Sequence, residues 1–295
     1  MNIWACALIA AVAGAVVGYL QTPLFAALPE KWLQDYGVKE TDPDYRPSKR
    51  MKVVPHGVIS AVFCVAIYVI FTFVCYYNYI KDLCPLHILA VVLSTPVIVI
   101  VMMSDRLNRI IPDQCSIALA MIGILCMISD FTEGNMWFSE EAAAHVLILN
   151  RVLAALIGGG ILWLLNFICM TFAGREGMGQ GDMKLLAACG LITGCYGLVV
   201  VIYVGIIAAM FFAVPLLIRK RMRIKAEKKE VAEAEDPIAK RAEIARRKAA
   251  IHFADDPDYL AFGPFIAFGA SVFLAFEPLF CEKMMTYIQV LGLAF

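Results

Sequence analysis

Seven stretches of this sequence, at roughly 3–28, 56–80, 86–104, 114–130, 146–172, 195–218 and 260–276, are apolar over lengths that cross the about 30 Å of a bilayer's hydrocarbon core. Lipid offers no partner to a backbone N–H or C=O, so each is expected as an α-helix. A shorter run, 182–194, follows a glycine-rich turn; counted as a crossing it brings the total to about eight. The expected fold class is all-α, a polytopic integral membrane protein. A composition that is 61% hydrophobic and only 17% charged excludes an ordinary soluble domain.

The formal net charge of zero conceals a strong segregation. With the amino terminus outside, the loops 29–55, 105–113, 173–181 and 219–259, together with Lys184, face the cytoplasm and carry 22 of the 25 Lys and Arg residues. The connection 130–145 holds Asp130, Glu133, Glu140 and Glu141 with no basic residue, which suits the outer side. The chain divides into a first helix and cytoplasmic loop (1–55), a transmembrane core (56–218), a charged cytoplasmic helical insert (219–259), and a final helix with an interfacial tail (260–295). The insert opens on Arg219-Lys220-Arg221-Met222-Arg223 and is broken at Pro237, so two solvated helices are expected. Its expected partner is anionic membrane lipid, at about 1 kcal/mol per basic residue near the surface, and not nucleic acid. The first apolar run has no basic leader and no cleavage site, so it reads as a retained span.

None of the ten cysteines forms a CxxC pair, and His56, His87, His145 and His252 stand far apart. No metal and no cofactor are expected, and the cysteines read as small buried hydrophobes.

Two acids stand where hydrocarbon makes charge expensive. Asp105 closes one apolar run, in Ser104-Asp105-Arg106-Leu107-Asn108-Arg109-Ile110-Ile111-Pro112-Asp113, and Asp182 follows a turn, in Gly177-Met178-Gly179-Gln180-Gly181-Asp182-Met183-Lys184. They lie 77 positions apart, yet both fall at the same expected depth on the same side. Two carboxylates sharing one proton can hydrolyse a peptide bond, one as base toward water and one as acid toward the carbonyl. Gly177, Gly179 and Gly181 are expected to supply positive φ or close backbone approach. Asp182 is expected at the N-cap of the next helix, where free N–H groups favour its ionised form.

Each feature also has a plainer reading. The glycine segment is satisfied by an interhelical turn with a capping aspartate, and Asp105 by a helix-end acid paired with Arg106 or Arg109. Pro112 reads equally as a helix-starting proline. Lys184 either tunes the acids or faces lipid headgroups.

Three elements together resemble the type IV prepilin peptidases, within the wider group of GxGD intramembrane aspartyl proteases. They are Asp105 with six residues between it and Pro112, the run Gly177 to Leu186, and Phe262-Gly263-Pro264-Phe265-Ile266-Ala267. The resemblance implies a membrane-embedded endopeptidase in the cytoplasmic (inner) membrane of a prokaryote, its site facing the cytoplasm. Such an enzyme cleaves the basic leader of a prepilin or pseudopilin after a glycine. The resemblance also implies that Asp105 and Asp182 are catalytic, that Gly179 and Gly181 are the GxGD glycines, and that Gly263 and Pro264 open a late helix. Family members that also methylate the new amino terminus usually carry zinc-binding cysteine pairs after the first span. Residues 29–55 hold no cysteine, so N-methyltransferase activity stays in doubt. Because Asp105 follows serine and not tyrosine, the presenilin branch is disfavoured. The competing readings are an ion-coupled transporter, with the acids as relay groups, and a non-catalytic scaffold for pilus or secretion assembly.

Overall fold

The computed structural model describes residues 3–35, 41, 45–79, 85–138, 142–174, 178–249 and 260–290. The expectations for Gly177, Glu140, Glu141, 250–259 and 291–295 lie outside these residues. Within them eight α-helices follow in order: α1 (Ile3–Ala26), α2 (Val58–Tyr79), α3 (Pro85–Asn108), α4 (Asp113–Thr132), α5 (Ala144–Ala173), α6 (Gln180–Glu233), α7 (Pro237–Ala249) and α8 (Gly263–Val290), with a short 3-10 turn at Glu30–Trp32 between the first two. No strand occurs among the described residues. Seven of the helices, all but α7, are long and apolar enough to span a membrane, and the fold is all-α and polytopic.

At 54 residues α6 would be a rod of about 80 Å if straight, far beyond one bilayer thickness. It is not straight. Gly194 takes φ 69° and ψ −178°, outside the helical region, and divides α6 into a first arm (180–193) and a second arm (195–233). Their neighbours show the direction of each. Along the first arm Leu186 meets Gly158 and Gly190 meets Ala154, so that arm runs antiparallel to α5. Along the second, Gly197 meets Phe273 and Gly205 meets Phe265, antiparallel to α8. Because α8 starts beside Asp105 and reaches His87 and Trp137 at Glu277, the two arms form a hairpin between the same two levels. Counting both arms gives the eight segments expected. A residue with a Cβ strains at that φ, which is why the reversal falls on glycine.

The second arm continues without interruption into the charged segment. The first helix of the insert is therefore an extension of a span rather than a separate element, and only α7, after Pro237, is distinct. Similarly, the expected interfacial tail begins as the continuation of α8 past a bend at Phe276.

Close approach is achieved with small residues, as expected where lipid tails compete equally for apolar surface. A Cβ on Gly190 would lie 2.5 Å from Ala154 O, and one on Gly18 would lie 2.6 Å from Val65 Cα, joining α1 to α2. Gln21, almost fully buried, donates to Pro96 O at 3.2 Å and accepts from the Tyr68 hydroxyl at 2.9 Å, bridging α1, α2 and α3.

The end of the molecule away from Asp105 holds a buried polar network on five helices. Arg151 pairs with Asp130, and His87 Nε2 lies 3.0 Å from Glu277, which also accepts from the Trp137 indole at 3.0 Å. Glu133 accepts the Leu86 and His87 N–H groups at 2.7 and 3.1 Å, satisfying two donors of the first turn of α3. Trp137 stacks on Tyr196 at 5.1 Å and Phe273 at 6.2 Å. The histidines and Arg151, unremarkable in the sequence, thus include two members of this network.

Introducing one methyl at the α5–α6 contact tests the packing. Gly190→Ala must push the two backbones apart and is expected to destabilise the protein by about 1–3 kcal/mol, measured by reversible unfolding in detergent micelles.

Candidate active site

Asp105 sits in the last turn of α3 and Asp182 in the first turn of α6. Both are buried, at 6% and 8% exposure, and their carboxylates lie within direct electrostatic range of one another. Asp105 Oδ2 and Asp182 Oδ1 are each shielded from solvent with no hydrogen-bond donor among the described residues. The structure therefore brings the two acids to one place from remote points of the chain.

The surrounding residues fix that meeting. After Asp105 the chain turns sharply: Arg109 takes φ 61°, and the Ser104 hydroxyl donates to Ile110 O at 2.7 Å. This reversal delivers Ile111, which touches both acids' supports. A Cβ on Gly181 would come 3.1 Å from Ile111 Cβ, and one on Gly263 would come 2.8 Å from Ile111 Cδ1. Gly263 lies against the acid itself, since a Cβ there would fall 2.6 Å from Asp105 Oδ2. The Gly263 N–H, at the start of α8, faces the Asp105 carboxylate, and the Arg109 charge acts on it too. Pro264 is the second residue of that helix.

Several expectations for the glycine turn are corrected. Gly179, not Asp182, is the N-cap of α6, with φ −70° and ψ 146°, and Asp182 is the third residue of the helix. Gln180 and Gly181 already belong to the helix, so neither Gly179 nor Gly181 uses positive φ. Gly181 instead packs closely on Ile111, which a Cβ there would displace by a few tenths of an ångström. The Met178 N–H donates to Asn166 Oδ1 at 3.3 Å, fastening the turn to α5. The Gly263 N–H and the Arg109 charge act on Asp105, at the mouth of α8, and neither acts on Asp182, where the capping argument placed the favourable groups.

Pro112 is the N-cap of α4, one position before the N1 site expected. Lys184 pairs with a carboxylate at the start of a neighbouring helix. Its Nζ lies 2.9 Å from both oxygens of Asp113, tying the first turn of α6 to that of α4 at a part-exposed position.

A strap from the 29–55 loop braces the same end. Asn108, one turn beyond Asp105, accepts the Lys49 N–H at 2.8 Å and donates to Lys49 O at 3.1 Å. Arg50 donates to Ala26 O at 2.8 Å and to Glu30 at 2.7 Å. Burial alone would raise the Glu30 pKa, but hydrogen bonds from Gln34, the Ser48 N–H and Arg50 outweigh it and hold the carboxyl at about 2. Ile111, Gly263's contact and the Asn108 brace were not found by sequence reasoning; the fixed spacing from Asp105 to Pro112 was the signal that a structured turn lies between them.

No group of three or more His, Cys, Asp or Glu side chains among the described residues could hold a metal ion, and residues 29–55 contain no cysteine. The zinc site implied for methylating relatives does not fit these residues.

The resemblance read from the motifs is found in comparison: the model of the Type IV leader peptidase family matches residues 90–214, which include both acids. Similar proteins are each named "Prepilin leader peptidase/N-methyltransferase". That of Aeromonas salmonicida (strain A449) is 29% identical over 130 residues, covering 44% of this chain and 40% of its own. The Dichelobacter nodosus protein is 29% identical over 115 residues, covering 39% and 36%. The protein of Burkholderia pseudomallei (strain K96243) is 29% identical over 161 residues, covering 54% and 44%. The chain thus spans about two fifths of the length of the curated relatives it matches. No solved structure matches it.

The Glu30 brace makes a pH-dependent prediction. A carboxyl whose folded pKa of about 2 lies below its ordinary 4.5 stabilises the fold fully above pH 4.5 and loses that contribution as pH falls toward 2. Glu30→Gln is expected to lower the melting temperature at pH 7, and the gap from wild type is expected to close between pH 4.5 and 2.

Proposed function

We propose that this protein is a membrane-embedded aspartyl endopeptidase that removes the leader of a type IV prepilin or pseudopilin, cutting after a glycine on the cytoplasmic side of a prokaryotic inner membrane. The observation that carries the reading is the burial of Asp105 and Asp182 together, each with one carboxylate oxygen that no described side chain or N–H satisfies. In a structural ion pair those oxygens would have partners. A transporter's relay acids would sit near the middle of the bilayer, whereas these stand at helix ends.

In the reaction, Asp105 is the carboxylate base, since the Gly263 N–H and Arg109 support its charge, and Asp182 is the protonated partner. Asp105 takes a proton from water as the water oxygen bonds to the scissile carbonyl carbon, and Asp182 gives its proton to the carbonyl oxygen. The tetrahedral diol then collapses: the C–N bond breaks, the leaving nitrogen receives the proton from Asp105, and a diol hydroxyl returns one to Asp182. Products are a carboxylic acid on the leader and a free amine on the mature chain, with both acids reset. Gly179, Gly181, Gly263, Pro112 and Pro264 shape the site through the helix ends that they set, and Lys184 through its bond to Asp113.

The cytoplasmic orientation is supported by the clustering of basic residues at the aspartate end, and the segment from Arg219 to Lys225 suits anionic lipid. The proposal takes up only the peptidase part of the relatives' name, because residues 29–55 hold no cysteine for the family's zinc-binding pairs.

Cleavage of a synthetic prepilin leader peptide by the purified full chain tests this. Asp105→Asn and Asp182→Asn are each expected to lower kcat by at least about 10²-fold, with unchanged unfolding temperatures. Retained cleavage in either removes that acid from the mechanism. Gly263→Ala, which displaces the Asp105 carboxylate by its new methyl, is expected to cost about 10²-fold through misplacement of the base.

A further inference from the structure

The acids are held at one end of the first arm of α6, and the other end of that arm is gripped by groups with no part in the proposed reaction. Reversal at Gly194 strands carbonyls at the finish of the first arm and N–H groups at the start of the second. In apolar surroundings each must find a partner. Two consecutive residues of α5 supply them. Arg151 donates to Ile192 O and, at 3.3 Å, to Leu191 O. Asn150 Oδ1 accepts the Cys195 N–H at 3.0 Å, and the Cys195 thiol donates to Asn150 O at 3.1 Å. A Cβ on Gly194 would lie 2.5 Å from Asn150 Nδ2, so the amide closes directly over the reversal.

Arg151 is itself fixed by Asp130 of α4 through two contacts, Nη2 to Oδ1 at 2.7 Å and Nε to Oδ2, with both side chains only 3% exposed. Burying this pair is expensive, and ion pairs so buried add little net stability over an apolar substitute. Its planar fork, however, reaches two carbonyls and a carboxylate at once in a single geometry, which a flexible lysine cannot do. That is a register-setting device. From Ile192 to Asp182 the arm is about 15 Å of helix, packed on α5 through Gly190 and Gly158, so a slip of one residue at the reversal moves Asp182 by about 1.5 Å.

We propose that Asn150 and Arg151, across the thickness of the protein from the acids, are positioning residues that set the placement of Asp182 against Asp105. The inference rests on the reading of those aspartates as the catalytic pair. A displacement of about 1 Å at a reacting group costs on the order of 10²-fold in rate.

The test uses the full chain in detergent or nanodiscs, with cleavage of a synthetic prepilin leader peptide and thermal unfolding measured together. Arg151→Lys keeps the charge beside Asp130 but loses the fork, and Asn150→Ser removes the amide over Gly194. Both are expected to lower kcat about 10- to 100-fold with KM within about twofold, by displacement of the acid and not of the substrate. Gln21→Met is the control for general destabilisation: it breaks a buried bridge of α1, α2 and α3, and is expected to lower the unfolding temperature while kcat holds. Should Arg151→Lys fail to fold, Asn150→Ser carries the same expectation alone. Wild-type kcat in every folded variant of the two overturns the proposal, as does a kcat that follows unfolding temperature equally in Gln21→Met. Cleavage surviving Asp105→Asn or Asp182→Asn overturns the catalytic pair and this inference with it. Both acids essential, with the clasp variants fully active, overturns the clasp alone.

Discussion

In hydrocarbon a backbone carbonyl or N–H without a partner costs several kcal/mol, and that constraint organises this molecule from one face to the other. Helices solve it along their length, so the structure is decided at the places where helices stop. Glu133 supplies the start of α3, Arg151 and Asn150 the two sides of the Gly194 reversal, and Asn166 the turn before α6. Polar side chains that would be liabilities elsewhere are concentrated at those points. Asp105 Oδ2 and Asp182 Oδ1 are among the few buried side-chain atoms that find no hydrogen-bond partner within the described residues.

The site itself is an assembly of helix ends. The last turn of α3, the first turns of α4 and α6 and the start of α8 all arrive at one level, and Ile111 fills the space among them. Side chains on Gly181 and Gly263 would both crowd Ile111, and one on Gly263 would also press on Asp105, so bare backbone at these positions leaves room for the isoleucine between the helix ends. Around this centre the Lys49 peptide, Glu30 and the Lys184–Asp113 pair join loops to helix ends with polar bonds at partly exposed positions. Such exposed pairs contribute little energy singly, at most about 1 kcal/mol, and act by limiting where the loop can go.

Much of the architecture was legible because hydropathy and helix formation are the same requirement in lipid. The spans, the break before the second arm of α6 and the charged continuation beyond residue 218 follow from runs of apolar residues and from glycine and proline at their ends. Legibility failed where local chemistry had two solutions. Asp182 has the composition of an N-cap, yet Gly179 takes that role because an extended φ and ψ suit it and the following Gln180-Gly181 can already be helical. The tail after Phe276 and the insert before Pro237 extend existing helices, since nothing in a high-propensity sequence compels a boundary there.

The sequence alone determined that the chain must cross a membrane repeatedly as helices and that two carboxylates stand at the ends of apolar runs, because both facts depend only on the cost of placing residue types in hydrocarbon. Which groups face those carboxylates, that Gly194 reverses a helix into a hairpin, and that Asn150, Arg151 and Asp130 secure it were decided only in the tertiary structure. Contacts between residues dozens of positions apart depend on how helices pack, and no local pattern of the chain encodes a partner's register.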